Sequence, residues 1–398
     1  MPVMRIGFFT DTYTPQINGV VTSIQLFKQE LEAQGHEVYV FAPKPDQPDD
    51  TDATIRFHSV PFAFQREMRL ASPFSIEALK VLDDIDIDIA HSHDPFSIGL
   101  FGLSFANRHK IPYVHTYHTL YPEYVHYVWE TRLTKRLAQW LSAEFCDACT
   151  SIVAPSSKVE RYLRTWGTTV PIDVIATGID THAYATTDPA RIEAWRHELH
   201  IQPGEKTILY LGRLGREKNI SILIRALWHA RTTEARLLIA GDGPYRADLE
   251  ALVEELDLKE QVDFLGYVQR DDAVAVYHLA DVFAFASTTE TQGLVVGEAM
   301  ASGLPVIGVH DDAITDFVIE GRTGLITENR AEALAEAIDT LLSDDTLRAE
   351  FSAAAKARAE HFSIQHQTER LEAHYERALS APKPKRRMPR LALPKRRR

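Results

Sequence analysis

The sequence predicts an α/β chain of two doubly wound, Rossmann-like domains facing across a cleft. Three observations carry this. Short apolar segments alternate with amphipathic helical ones almost throughout. The alternation pauses at the polar stretch "LHIQPGEK" and then restarts. With 398 residues, 45% hydrophobic and 25% charged, the chain is long enough for two globular domains. Apolar strands separated by helices give parallel sheets covered on both faces, and two such runs joined by a polar connector give two sheets.

In order, the first run reads as strands at "RIGFFTD", "EVYVFAP", "TIRFHSV", "IDIAHSH", "PYVHTYH", "TSIVAPS" and "IDVIATG", with helices such as "GVVTSIQLFKQELEAQG" and "RLTKRLAQWLSAEF" between many of them. These make a first domain over 1–178. The second, over 179–362, holds "TILYLGR", "RLLIAGDG", "VDFLGYV", "DVFAFAS", "LPVIGV" and "TGLIT". A helix over 363–380, containing "SIQHQTERLEAHYERAL", is expected to pack back on the first domain. Residues 381–398 carry too much proline and charge to fold alone and read as a disordered basic tail.

No apolar run reaches the roughly 18–20 residues that span a bilayer, and "MPVMRIGFFTD" enters a strand directly, so a cytosolic protein is expected. Residues 383–398 hold nine Lys and Arg and no acid; without them the remainder carries −22, against −13 for the whole. A body so acidic repels nucleic acid, so the tail alone does not argue for binding DNA. The only cysteines, Cys146 and Cys149, are spaced C-x-x-C. With no second pair to complete a zinc site, they read as two buried thiols where a helix meets a strand.

In open α/β sheets ligands bind beyond the carboxyl ends of the strands, and the distinctive residues fall there. "YLGRLGREKN" sets Arg213 at a strand end and Lys218 beside the next helix start; two cations and free helix N–H groups suit a diphosphate, though such a pair also occurs as solvated surface. "LLIAGDGPYRADLE" supplies Gly241 and Gly243 but has Arg246 where a dinucleotide fingerprint needs glycine, which argues against nicotinamide chemistry. Asp84, Asp86 and Asp88 alternate before a strand, and His91, His93 and Asp94 echo part of a metallohydrolase motif without its further ligands; no metal site is expected. His115 and His118 end a strand, and Asn18 and Gly19 open the first helix, where a ligand or merely a cap would fit. On "RLTKRLAQWLS", Arg132, Lys135, Arg136 and Gln139 line one face and Leu133, Leu137, Trp140 and Leu141 another; such a helix packs a core or, flanked by Trp129, lies on an anionic membrane. In "STTETQGLVVGEAMASGLPVIG", Glu290 follows a buried strand and Glu298 lies a turn inside the helix that Gly293 begins.

Taken together, "TDTYTPQINGVVTS", "HSHDPFS", "HTYHTLY", "APSSKVERYL", "TGID", "GRLGREKN", "AGDGP" and "ETQGLVVGEAMASGLPVI" occur in the order found in the retaining glycosyltransferases of family 4, and the chain resembles that family over nearly its whole length before the tail. The resemblance implies the GT-B fold, with the acceptor on the first domain and a nucleotide-sugar on the second, and no cofactor. It implies that Glu290 takes hydroxyls of the donor sugar, Glu298 both ribose hydroxyls, and the N–H groups at Gly293 and Leu294 the diphosphate. It further implies that Arg213 and Lys218, with the helix N-terminus, meet the charge growing on the leaving phosphate without a metal. His118 matches the histidine of the family's T-x-H stretch, and Gly19 the loop that approaches the diphosphate.

Within the family, "FFTDTYTPQINGVVTSI" and "HTYHTLYPEYVHYV" are similar to the diacylglycerol glucosyltransferases. That implies UDP-glucose as donor and diacylglycerol as acceptor; the basic face of Arg132, Lys135 and Arg136, together with the basic tail over 383–398, suits an enzyme peripherally attached to the inner face of an anionic membrane. The alternatives are a phosphatidylinositol mannosyltransferase using GDP-mannose, a metal-dependent hydrolase built on His91, His93 and Asp94, and a nucleotide-binding protein without turnover.

Overall fold

The computed structural model describes residues 2–45, 54–62, 65–71, 82, 84–124, 132–231 and 234–382. The chain divides into two compact units, Met1–Gly178 together with the chain from Gln367 onward, and Ile179–His366.

The first unit is built on a seven-stranded sheet in the order β3-β2-β1-β6-β7-β8-β9. Its strands are β1 (Arg5–Phe9), β2 (Glu37–Pro43), β3 (Ile55–Phe57), β6 (Ile89–Ser92), β7 (Tyr113–Thr116), β8 (Ser151–Ala154) and β9 (Ile172–Val174). Every pair in it is parallel. The strands are apolar on both faces because helices cover both; Ile6, Phe8 and Phe9 of β1 are fully buried. The stretch "TIRFHSV", which reads as one strand, is interrupted at His58. Lys44 N donates to Phe57 O and Ser59 Oγ to Lys44 O, and the chain then leaves the sheet to form an antiparallel pair, β4 (Ser59–Phe62) with β5 (Gln65–Ala71).

The helix Ile364–Ser380 belongs to this unit from Gln367 onward. Buried polar pairs fasten it. His36 accepts from Met4 N through Nδ1 (3.0 Å), so its Nε2 donates to Glu372 (2.7 Å). His91 Nδ1 meets Tyr375 Oη at 2.6 Å, and Asp173 holds both His374 (2.5 Å) and Arg377 (2.6 Å). From residue 383 on, the basic tail lies outside the described residues.

The second unit carries a six-stranded parallel sheet, β12-β11-β10-β13-β14-β15. Its strands are β10 (Thr207–Leu211), β11 (Arg236–Ala240), β12 (Val262–Gly266), β13 (Val282–Phe285), β14 (Val306–Val309) and β15 (Gly324–Thr327). Its core includes Leu209, Leu238, Ile239, Phe283, Val296 and Ile307, all fully buried, each contributing roughly 1.5–3 kcal/mol of apolar transfer. In both sheets the strand order reverses beside the first strand of the unit, between β1 and β6 and between β10 and β13. Such reversal points open a crevice at the carboxyl ends of the strands.

Candidate active site

In the second unit the residues singled out from the sequence flank the reversal point. Arg213 follows β10 on a loop braced by its neighbour: Leu214 N donates to Asp242 O (2.9 Å) and Tyr245 N to Leu214 O (3.0 Å). The backbones pack so closely that a Cβ on Gly241, which has φ +133°, would stand 1.9 Å from Gly212 O, and one on Gly243 would stand 2.5 Å from Leu214 O. The two glycines of "AGDGP" therefore serve to seat the Arg213 loop. Arg213 is about half exposed and pairs with Glu217. Lys218 sits in the turn Arg216–Lys218, and its Nζ donates to Glu290 Oε1 at 2.6 Å; both side chains are largely buried, 20% and 14% exposed. Glu290 lies beyond β13, so this ion pair joins the two loops that border the reversal point.

Gly293 adopts φ +82°, a left-handed conformation that favours glycine, and begins the helix Leu294–Ala301. No side chain caps that helix; Val296 N already donates to Gly293 O at 3.0 Å, so the backbone donors available to an anion at the positive end of the dipole are those at the very start, Gly293 and Leu294. Glu298 lies in the second turn of the same helix, and its Oε2 accepts from Tyr277 Oη at 2.9 Å. Glu217 and Tyr277 carried no signal in the sequence. Glu217 is one acid among many, and Tyr277 lies in a different helix from the carboxylate it touches.

Gly19 and His118 lie in the first unit. Gly19 is exposed as the first residue of the helix Gly19–Ala33, and Asn18 is a helix cap whose Oδ1 accepts from Val20 N and Val21 N at 3.0 Å. His118 is buried, its Nε2 lying 3.0 Å from His93 Nδ1. The rings of His91, His93 and His118 stack in sequence at 4.5 and 5.3 Å. Burial pushes His115 and His118 down to about 3, and His91 and His93 well below the usual histidine range. His118 is therefore a neutral imidazole at working pH.

Histidines that stay neutral when folded take up protons on unfolding, so their contribution is present above about pH 6.5 and falls as the pH drops towards 3. Asp11, raised to about 7 by burial and by Asp94, and Asp94, raised by burial, act in the opposite direction. Four histidines outweigh two carboxyls. Stability is expected to fall between pH 7 and 5, by about 2–3 kcal/mol per pH unit at the steepest. Urea unfolding at pH 7.5 and 5.5 checks this; a midpoint as high at 5.5 as at 7.5 contradicts it.

A family model for "Glycosyltransferase Family 4" matches residues 17–183, and one for "Glycosyl transferases group 1" matches 191–358. An alpha-monoglucosyldiacylglycerol synthase of Streptococcus pneumoniae is 35% identical, covering 85% of this chain and 79% of that protein. One of Acholeplasma laidlawii is 32% identical, covering 83% and 86%. The chain belongs to the family 4 glycosyltransferases. Anabaena HepE, in complex with UDP and glucose, superposes with a TM-score of 0.76 at 20% identity over 94% of this chain and all of its own, which supports the GT-B fold.

In this glycosyltransferase several residues of the alternative motifs are engaged within the first unit. Cys146 and Cys149 are free and buried, and burial pushes both thiols up. Both ring nitrogens of His91 are occupied, by Tyr375 and by Thr116 Oγ1 at 2.7 Å. Asp94 accepts from Thr10 Oγ1 and Asp11 N, tying β6 to β1. Asp84, Asp86 and Asp88 are exposed, and Asp88 accepts from Arg5 N. Among the described residues no three His, Cys, Asp or Glu side chains gather as metal ligands.

The helix Arg132–Ala148 departs from a plain core-packing reading. Leu133 is 77% exposed, and Leu137 and Leu141 are each 40% exposed, at i, i+4 and i+8. Lys135 and Arg136 are exposed on the same helix, and Lys135 reaches Glu123 at 2.8 Å. Arg132 opens the helix, while Trp129 lies outside the described residues. Among the described residues no helix is long and apolar enough to cross a membrane.

Proposed function

We propose that the glycosyltransferase moves glucose from UDP-glucose to the free hydroxyl of diacylglycerol, retaining the anomeric configuration. The observation that carries the acceptor class is the similarity, along more than four fifths of the chain, to two proteins named as alpha-monoglucosyldiacylglycerol synthases.

In this reading the donor lies along the start of the helix Leu294–Ala301. Glu290 accepts from hydroxyls of the sugar and Glu298 from the ribose diol, while the N–H groups of Gly293 and Leu294 meet the diphosphate. As the glycosidic C–O bond breaks, negative charge grows on the β-phosphate. Arg213, Lys218 and the helix dipole stabilise it where a divalent ion would otherwise act. The departing phosphate takes the acceptor's proton on the same face, which preserves configuration. The roles of Gly19 and His118 rest on the family resemblance, and His118 acts as a neutral hydrogen-bonding group. Calorimetry with UDP and GDP tests the donor: UDP is expected to bind at least about tenfold more tightly, a difference of about 1.4 kcal/mol. Tighter GDP binding would turn the reading towards a mannosyl donor.

The exposed leucines support work at a membrane surface. An amphipathic helix with cations beside an apolar stripe lies in the headgroup region with the stripe inserted. Leu133→Asp with Leu137→Asp is expected to weaken sedimentation with phosphatidylglycerol vesicles by about tenfold or more, since each leucine contributes on the order of 1 kcal/mol. UDP affinity should not change. Undiminished vesicle binding would remove this helix from the membrane contact.

A further inference from the structure

Tyr277 is completely buried, near the end of the helix Arg270–Leu279, with its ring packed against Phe283 and Tyr184. Its hydroxyl leaves the apolar core at one point. It reaches Glu298 Oε2 at 2.9 Å, with Val295 O at 3.3 Å as a second, longer acceptor. A phenol has one proton, and a carboxylate is the stronger acceptor, so the proton goes to Glu298. Burial and the adjoining carboxylate hold Tyr277 well above the ordinary tyrosine range, keeping it a donor.

A glutamate on a helix has three side-chain torsions, and a diol engages both carboxylate oxygens only when the plane of the group is set. Tyr277 cannot move without disturbing the core, so the bond it donates fixes that plane. A carboxylate offers about four acceptor directions, so a hydrogen bond from the tyrosine does not exclude a diol.

We propose that Tyr277 is a positioning residue that orients the Glu298 carboxylate for the vicinal diol of the nucleotide's ribose, so that affinity for the nucleotide depends on a hydroxyl that never touches it. This rests on the reading that Glu298 takes the ribose hydroxyls. It adds that the carboxylate alone is insufficient and that a donor from the preceding helix completes it.

Calorimetry with UDP and 2′,3′-dideoxy-UDP separates the two statements. Tyr277→Phe keeps the ring and loses the hydroxyl. It is expected to weaken UDP by about tenfold, as loss of a hydrogen bond to a charged group does, and to leave dideoxy-UDP within about twofold of the unaltered protein. Glu298→Gln should weaken UDP at least as much, also without effect on dideoxy-UDP, and adding Tyr277→Phe to it should cost little more. If Glu298→Gln weakens both nucleotides alike, the ribose reading itself fails. If Glu298→Gln discriminates between them and Tyr277→Phe does not, the positioning role is overturned. Should Tyr277→Phe fail to fold, Glu298→Asp, which keeps the charge but withdraws it from the phenol, carries the same comparison. Full UDP affinity in that variant would overturn the proposal.

Discussion

Glu290→Gln is expected to lower kcat at least about a hundredfold while the Kd for UDP stays within about threefold. The carboxylate is proposed to meet only the sugar, which UDP lacks. Glutamine keeps the length and one acceptor oxygen, so Lys218, now 2.6 Å from Glu290, retains a partner. Without a full negative charge beside it, Lys218 is if anything freer to meet phosphate, so UDP binding should hold or tighten slightly. The transfer step loses an anionic contact to the sugar where positive charge develops at the anomeric carbon. UDP affinity that falls as far as the rate would show that Glu290 acts through the nucleotide.

Lys218→Ala is expected to lower kcat by about a hundredfold to a thousandfold, the usual cost of one group that stabilises charge in a transition state. Arg213→Ala should fall in the same direction with a smaller effect, because Arg213 is about half exposed and its partner Glu217 competes for it. Both variants should keep their residual activity in EDTA, since the charge they supply does not depend on a metal. Lys218 and Glu290 form one ion pair, so the double variant should be clearly less impaired than the product of the two single losses. Multiplicative losses would mean that the two residues act independently despite their contact.

Much of the fold was legible because its signals are local. Apolar strands between amphipathic helices specify parallel sheets whatever else the chain does, and "GRLGREKN" and "ETQGLVVGE" mark two strand-to-helix turns by their glycines and charges. What was not legible depends on contacts between distant segments. The break at His58 is set by Lys44, which pairs with Phe57 and Ser59 across more than a dozen residues. The histidine pairs that fasten the last helix join residues up to 336 apart in sequence, and no periodicity announces them. Tyr277 reads as one more apolar residue of a buried helix, because only the fold brings Glu298 to its hydroxyl. The leucines of Arg132–Ala148 show a different limit. A stripe at i, i+4 and i+8 is the same pattern whether it faces a core or a lipid surface, and only the exposure of Leu133 distinguishes them.

The G-x-G of "AGDGP" illustrates the converse. As a motif it suggests a dinucleotide, and as structure it is close packing of one loop on another, with Gly241 set against Gly212 O. In the proposed reading its part is one step removed from the ligand: the close packing seats the loop that carries Arg213.

The most direct test of the central claim is transfer itself. The purified chain is incubated with UDP-[14C]glucose and vesicles of phosphatidylglycerol containing diacylglycerol. The expected product is a labelled glycolipid whose anomeric proton shows the small coupling of an α-glucoside, with no comparable product from GDP-mannose. Free glucose as the only labelled product, a β-linked lipid, or transfer from GDP-mannose alone would contradict the claim.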